Sequence, residues 1–307
     1  MALRISPRSP FEECQVGQIL VLKADDAHPA LSSPSSPIFV RIRQLHSHTL
    51  SCNMVFDILD KEGSVLLDSS PAFLKLFDRR FAIQHRQDNG VELWTREVEV
   101  EYLDALKTDT IPQFLDDLHN IENFQDDTEE DWDKTQVEAF LIDELFPLYE
   151  TETKVYRTLQ EYQGRLIPKL LAAVTLELEL DPINLDVTSE DKDRPPEALE
   201  LLHIKGILLQ YIQGFDLWSM PDHAPRTSWQ NIIDQANDYK VFMIDFALCR
   251  FKGENESDAE WADAKFTKDE EGAVGLVMEK RLLNGYGFEL HYETSLQYLE
   301  EVERGGL

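Results

Sequence analysis

The sequence predicts an α+β fold, β-rich through its first half and mostly helical toward its C-terminus. Three observations predict it. Cys52, Met54, Phe56 and Ile58 alternate with Ser51, Asn53, Val55 and Asp57, the two-residue period of a half-buried strand. Over residues 97–145 the apolar spacing becomes helical: Ile111, Phe114, Leu115 and Leu118 share one face, as do Val137, Phe140, Leu141 and Leu145. Far downstream, Val241-Phe242-Met243-Ile244 reads as a buried strand that stops at a carboxylate, Asp245.

A chain of 307 residues with 42% hydrophobic content can bury a substantial core. Charge is lopsided, 29 Lys+Arg against 59 Asp+Glu, a net of −30. Such a surface repels phosphate backbones and anionic lipid, so neither nucleic acid nor membrane is expected as a partner. A nucleotide would need Mg²⁺ or a local lysine to offset the repulsion. The three cysteines, Cys14, Cys52 and Cys249, are odd in number and widely spaced, a pattern that fits neither a disulfide framework nor a zinc knuckle. Without a signal-like N-terminus or an apolar run long enough to span a bilayer, a cytoplasmic or nuclear protein is expected.

In chain order, Gly17–Leu22 reads as a first strand and residues 28–37, rich in proline and serine, as a loop. Residues 38–59 read as two strands, followed by a turn at Asp60-Lys61-Glu62-Gly63. Ala72–Asp78 is an apolar strand with Lys75 on the face of Phe73 and Phe77. A helical stretch then runs to about Leu145. Within it, residues 116–133 carry nine acidic residues and no lysine or arginine. That run is either a solvated face or a docking surface for a basic partner.

Residues 150–163 read as a separate helix with Val155, Tyr156, Leu159 and Tyr162 as its stripe, ended by Gly164. Leu166–Leu180 is a strand region, Asp181–Pro196 a loop, and Ile204–Ile212 a strand. A turn and short helix, a loop over 221–228, and a helix from Trp229 to Ala236 precede the Asp245 strand. Acids and small residues over Asp269–Met278 open a last helix.

Three ionisable residues stand out. Lys75 inside an apolar strand needs an anionic partner, unless it guards a sheet edge. Glu152, one turn before Tyr156, lies beside a buried stripe, or is an ordinary first-turn glutamate. Asp245 ends a strand as a hard-cation ligand would, or caps a turn.

Phe73-Leu74-Lys75-Leu76-Phe77-Asp78-Arg79-Arg80-Phe81, Glu152-xxx-Tyr156-xx-Leu159, Gln163-Gly164-xx-Ile167-Pro168, Leu208–Gly214, Phe242–Phe251 and Asp269–Gly275 occur in that order. Together they resemble a divergent, uncharacterised protein-kinase-like family. The resemblance covers most of residues 15–285 and implies a two-lobe fold. Its N-lobe would span residues 1–209, with a helical, acidic insertion at about 97–145; a truncated, mostly helical C-lobe would span 210–307. It implies ATP and Mg²⁺ as ligands in the cleft between the lobes. Lys75 would pair with the nucleotide phosphates, Glu152 would hold that lysine, and Asp245 would bind the metal. Gln210, Tyr211 and Ile212 would form the hinge that meets adenine.

The sequence departs from the family pattern. There is no glycine-rich phosphate loop near the first strand, and Ala247 replaces the last glycine of the Asp-Phe-Gly motif. Only Asn237, Asp238, Tyr239 and Lys240 separate Ala236 from the Val241 strand. Roughly two dozen residues, including the catalytic base, are missing relative to that pattern. Asn237 and Asp238 have the wrong spacing to replace them, so no catalytic residue is assigned. The Asp245 strand would also lack a hairpin neighbour for its backbone groups. Three functions follow as expectations: a catalytically impaired, pseudokinase-like ATP–Mg²⁺ binder; an active phosphotransferase whose full chain contains the missing loop; or an acidic interaction protein using residues 116–133.

Overall fold

The computed structural model describes residues 13–27, 37–46, 49–66, 71–108, 110–178, 200–233, 240–268 and 270–291. The expected loop at 28–37, apart from Pro37, that at Asp181–Pro196, the pair Asn237 and Asp238, and Asp269 lie outside the described residues. Two compact units emerge, Met1–Tyr211 with Ile244–Cys249, and Ile212–Met243 with Arg250–Leu307.

The first unit is built on β1 (Ile19–Ala27), β2 (Ile38–Leu45), β3 (Cys52–Leu59), β4 (Ala72–Leu76), β5 (Leu170–Glu177) and β6 (His203–Gln210). All neighbouring strands are antiparallel, and they close in the order β1-β2-β3-β4-β6-β5. Closure comes from β1 against β5, with Lys23 opposite Thr175 and Ala24 opposite Val174. This overturns the two-lobe, protein-kinase-like architecture expected from the resemblance: the strands form a closed barrel with helices, not the β-sheet lobe of a kinase. The physical reason is that β1 and β5 satisfy each other's outer backbone groups, leaving no open flank between them. Irregularities at Ala24/Asp26, Ile42/Gln44 and Leu170/Ala172 let the sheet curl onto itself.

The barrel interior is filled by every second residue. Leu20 and Leu22, Val40 and Ile42, Met54 and Phe56, Leu74 and Leu76, Val174 and Leu176, and Leu208 form one buried cluster. The two-residue period therefore turns Lys75 away from this interior, to the face opposite Leu74 and Leu76. The turn after β3 forms as expected: Asp60 Oδ1 accepts from the amides of Glu62 and Ser64, both at 2.9 Å. Gly63 supplies the positive φ of 87° that closes it.

Helices α1 (Ile83–Asp88), α2 (Arg96–Ala105), α3 (Thr110–Asn120), α4 (Phe124–Thr128) and α5 (Lys134–Thr158) follow β4. Of these, α2, α3 and α5 share a core of Tyr102, Leu103, Leu106, Ile111, Phe114, Ala139 and Phe140. The two helices expected around residues 137–145 and 150–163 are instead one 25-residue helix, α5, which runs through Pro147. Its N-terminus is a capping box: Asp133 accepts from the Thr135 and Gln136 amides, and Gln136 reaches back to the Asp133 amide. Pro147 removes one helical donor, but Phe140, Leu141 and Leu145 before it and Glu152, Val155 and Tyr156 after it are buried. Packing on both sides holds the helix through the proline.

The segment Val241–Ile244 is not a strand. Met243 and Ile244 are exposed, whereas Phe246 and Ala247 are buried. An apolar run becomes a strand only where neighbours take its ladder bonds; here the Cys249 amide bonds back to Phe246 O as a turn.

In the second unit, α6 (Met220–His223), α7 (Trp229–Ile233), α8 (Asp258–Lys268) and α9 (Glu270–Tyr286) are helical. From sequence, a loop is expected over 221–228 and only an acidic stretch at Glu254–Asp263; helix occupies part of both. The core is Met220, Ala224, Trp229, Ile232, Met278, Leu282 and Leu290. Trp229 donates its indole N–H to Ala224 O at 2.9 Å.

Candidate functional site

Lys75, in the fourth strand of the barrel, meets α5 on the barrel's outer face. Its Nζ donates to Glu152 Oε2 at 2.6 Å and to Asp245 Oδ1 at 2.7 Å. These partners are 77 and 170 residues away in sequence. The three lie within the first unit, since Ile244–Cys249 packs with it. The Phe77 ring lies 5.8 Å from the same ammonium.

The two carboxylates differ sharply in environment. The Glu152 side chain is fully buried, whereas that of Asp245 is 63% exposed. Burial pushes the Glu152 carboxyl above its ordinary range; Lys75 pulls it back, and Asp245 adds to the rise. The Phe246 backbone also bonds to the Glu152 carboxylate, and the Tyr156 hydroxyl, one turn further along α5, is buried with no hydrogen-bond partner. Burial, with Glu152 and Asp245 nearby, raises the Tyr156 phenol as well.

Asp245 holds a left-handed backbone, φ 68°, rare for a residue with a side chain. The residues after it fix that conformation. The Phe246 ring meets the Tyr156 ring edge-on at 5.4 Å, and Ala247 packs with Phe77, Ala82 and Leu145. The site thus joins a buried ammonium, a buried carboxylate and an exposed carboxylate on a strained turn. A dianionic or polyanionic ligand could take the ammonium while Asp245 turns to a cation. Among the described residues no three His, Cys, Asp or Glu side chains gather into a metal cluster. Mg²⁺ binds through one or two carboxylates plus phosphate oxygens, so Asp245 fits as a single protein ligand.

Of the expected hinge residues, Gln210 pairs with Ala72 of β4, the strand that carries Lys75. Gln210 closes β6, where its amide donates to Lys169 O at 2.8 Å and its side chain accepts from the Lys169 amide at 3.3 Å. Tyr211 is the last residue of the first unit before the Ile244–Cys249 return, and Ile212 opens the second.

A second buried ionic network has no local signature in the sequence. Arg79 donates to Glu99 at 2.7 Å and to Glu138, and Arg86 donates to Glu138 at 2.6 Å and 3.1 Å. Trp94 Nε1 donates to Glu99 at 2.7 Å, and the Arg79 guanidinium lies 4.3 Å from the Tyr102 ring centre. Beside it, Arg80 and Asp78 form a buried two-pronged pair. The Asp78-Arg79-Arg80 cluster was visible in the sequence, but partners 20 and 59 residues away were not. With each carboxylate met by guanidinium or indole donors, this network reads as structural, joining α2 and α5 to the end of β4.

The acidic run 116–133 spans the end of α3, all of α4 and the approach to α5. Leu118, Ile121, Phe124 and Phe140 line a shallow cavity of about 270 Å³, with Asp126, Asp143 and Glu144 also in its wall. His119 Nε2 sits 2.9 Å from Asp143. No helix among the described residues is long and apolar enough to cross a membrane. No protein-family model, curated protein or solved structure matches this chain.

Proposed function

We propose that this protein binds ATP with Mg²⁺ through Lys75 and Asp245 without transferring the phosphoryl group. The observation that carries the reading is the Lys75 ammonium bridging a buried Glu152 and an exposed Asp245. A lone buried ion pair is commonly structural. Here, however, one partner faces solvent on a strained backbone, and strain of that kind clusters at ligand sites. Glu152 would hold Lys75, Lys75 would meet phosphate oxygens, and Asp245 would ligate the metal. Bound Mg²⁺ would neutralise phosphate charge that the net −30 of the chain otherwise repels. The non-catalytic half of the proposal rests on the sequence resemblance alone, which assigns no catalytic residue.

Titration calorimetry with ATP, with and without Mg²⁺, tests it. Saturable Mg²⁺-dependent binding that is lost in Lys75→Met and weakened in Asp245→Asn is expected. Absence of binding at millimolar nucleotide overturns the reading. Phosphoryl transfer abolished by Lys75→Ala overturns its non-catalytic half.

A second reading is favoured by the cavity at Leu118, Ile121, Phe124 and Phe140. An apolar floor beside Asp126, Asp143 and Glu144 suits a basic segment with an aliphatic stem and a cationic head. A polylysine- or arginine-rich peptide should bind with strong salt dependence and weaken when these three acids become Asn or Gln. Affinity unchanged by those substitutions rejects this surface.

A further inference from the structure

The thiols of Cys14 and Cys52 converge although 38 residues separate them: their sulfurs are 3.9 Å apart. Both residues are buried, at 8% and 0% exposure, in the barrel core cluster. Cys52 opens β3, in register with Leu76 of β4. Cys14 lies just before β1, on a segment held down by the Gly17 amide bonding to Ile42 O at 2.8 Å. Cys249, by contrast, belongs to the Ile244–Cys249 segment and is half-buried.

We infer that Cys14 and Cys52 form an oxidation site, converted to an intramolecular disulfide by a peroxide. Closing the sulfurs from 3.9 Å to about 2.05 Å asks for side-chain rotation and a shift of the short segment before β1. The step balances with hydrogen peroxide as two-electron oxidant. The more exposed thiol, Cys14, attacks one peroxide oxygen as its thiolate; the O–O bond breaks, a sulfenic acid forms and the first water leaves. Cys52 sulfur then attacks the Cys14 sulfur, the S–S bond forms, the S–O bond breaks, and the second water leaves with the remaining thiol proton. Two thiols and one peroxide become one disulfide and two waters. The buried, apolar setting keeps both thiols slow until the segment before β1 opens, so the reaction should be limited by that opening. The product ties this segment to β3 and restricts the unfolded chain.

The test uses the full chain, treated with hydrogen peroxide, quenched, denatured and alkylated without reductant. Reduced protein should take up three alkyl groups and oxidised protein one, at Cys249, with a mass loss of two hydrogens and a crosslinked Cys14–Cys52 peptide. The unfolding midpoint of oxidised protein should rise by at least a few degrees, a rise reversed by dithiothreitol and absent in Cys14→Ser. Because the peptide map is made on the unaltered chain, the result does not depend on the variant folding. Continued alkylation of both Cys14 and Cys52 after oxidation, or sulfinic acid at Cys14 without a crosslink, overturns the inference.

Discussion

Gly206 of β6 lies so close to the Lys75 backbone that a Cβ there would sit 2.6 Å from the Lys75 carbonyl oxygen and 2.7 Å from Leu76 Cδ2. Two strands that meet at this distance leave no space for a side chain. Of the two, β4 carries the ammonium of the candidate site, so the contact links barrel packing to ligand geometry.

Gly206→Ala should therefore destabilise the first unit by about 2 kcal/mol, within the range for overpacking a tight interior. It should also weaken ATP–Mg²⁺ binding, because β4 must move. Urea denaturation and calorimetry on the same sample check both effects.

The two partners of Lys75 should differ in what they contribute to stability. Lys75→Met leaves Glu152 buried without its cation and should cost about 3 kcal/mol. That is the low end for breaking a buried pair, because a carboxyl already raised by burial can take up a proton. Asp245→Asn should cost less than about 1 kcal/mol, since solvent screens a carboxylate that is 63% exposed. Equal losses by denaturant titration would contradict the asymmetry.

Glu138 sets an acid limit. Burial alone would raise its carboxyl, yet Arg79 and Arg86 hold it below the ordinary value of 4.5. The folded value thus lies under the unfolded one. The stabilisation is present above about pH 4.5 and lost as pH falls through the folded value. Stability of the unaltered protein should drop steeply there, while Glu138→Gln, less stable overall, should show a flatter profile. Midpoints of urea unfolding across roughly pH 3 to 6 distinguish the two.

Pro147→Ala should stabilise α5 by about 1–2 kcal/mol. It restores a backbone donor inside a continuous helix, a gain offset in part by a more flexible unfolded chain. A lower midpoint would mean that the helix uses the proline for its shape.

The strands were legible where burial is one-sided. Cys52, Met54, Phe56 and Ile58 alternate because one face fills the barrel, and the same period placed Lys75 opposite Leu74 and Leu76. The resemblance implied Glu152 as the partner of Lys75 and Asp245 as a metal ligand; the Lys75 ammonium bonds to both carboxylates. Closure was not legible, because pairing Lys23 with Thr175 leaves no local pattern; the resemblance supplied a two-lobe sheet in its place. Val241–Ile244 was misread because apolar content predicts burial, while strand formation requires a neighbouring backbone. The helix break expected near residues 146–149 failed because packing on both sides of Pro147 outweighs local propensity. The Arg79–Glu138 network and the Cys14–Cys52 contact depend on tertiary approach alone.

Barrel closure also sets an order of events on the ribosome. Residues 19–27 leave the exit tunnel about 150 residues before their partners in β5. At ordinary elongation rates the interval is on the order of ten to thirty seconds. Throughout it the nascent first strand can pair with β2 but has no native mate on its other side. Sequestration of that flank, by a chaperone or by the chain itself, becomes a requirement of biosynthesis that the finished molecule no longer displays.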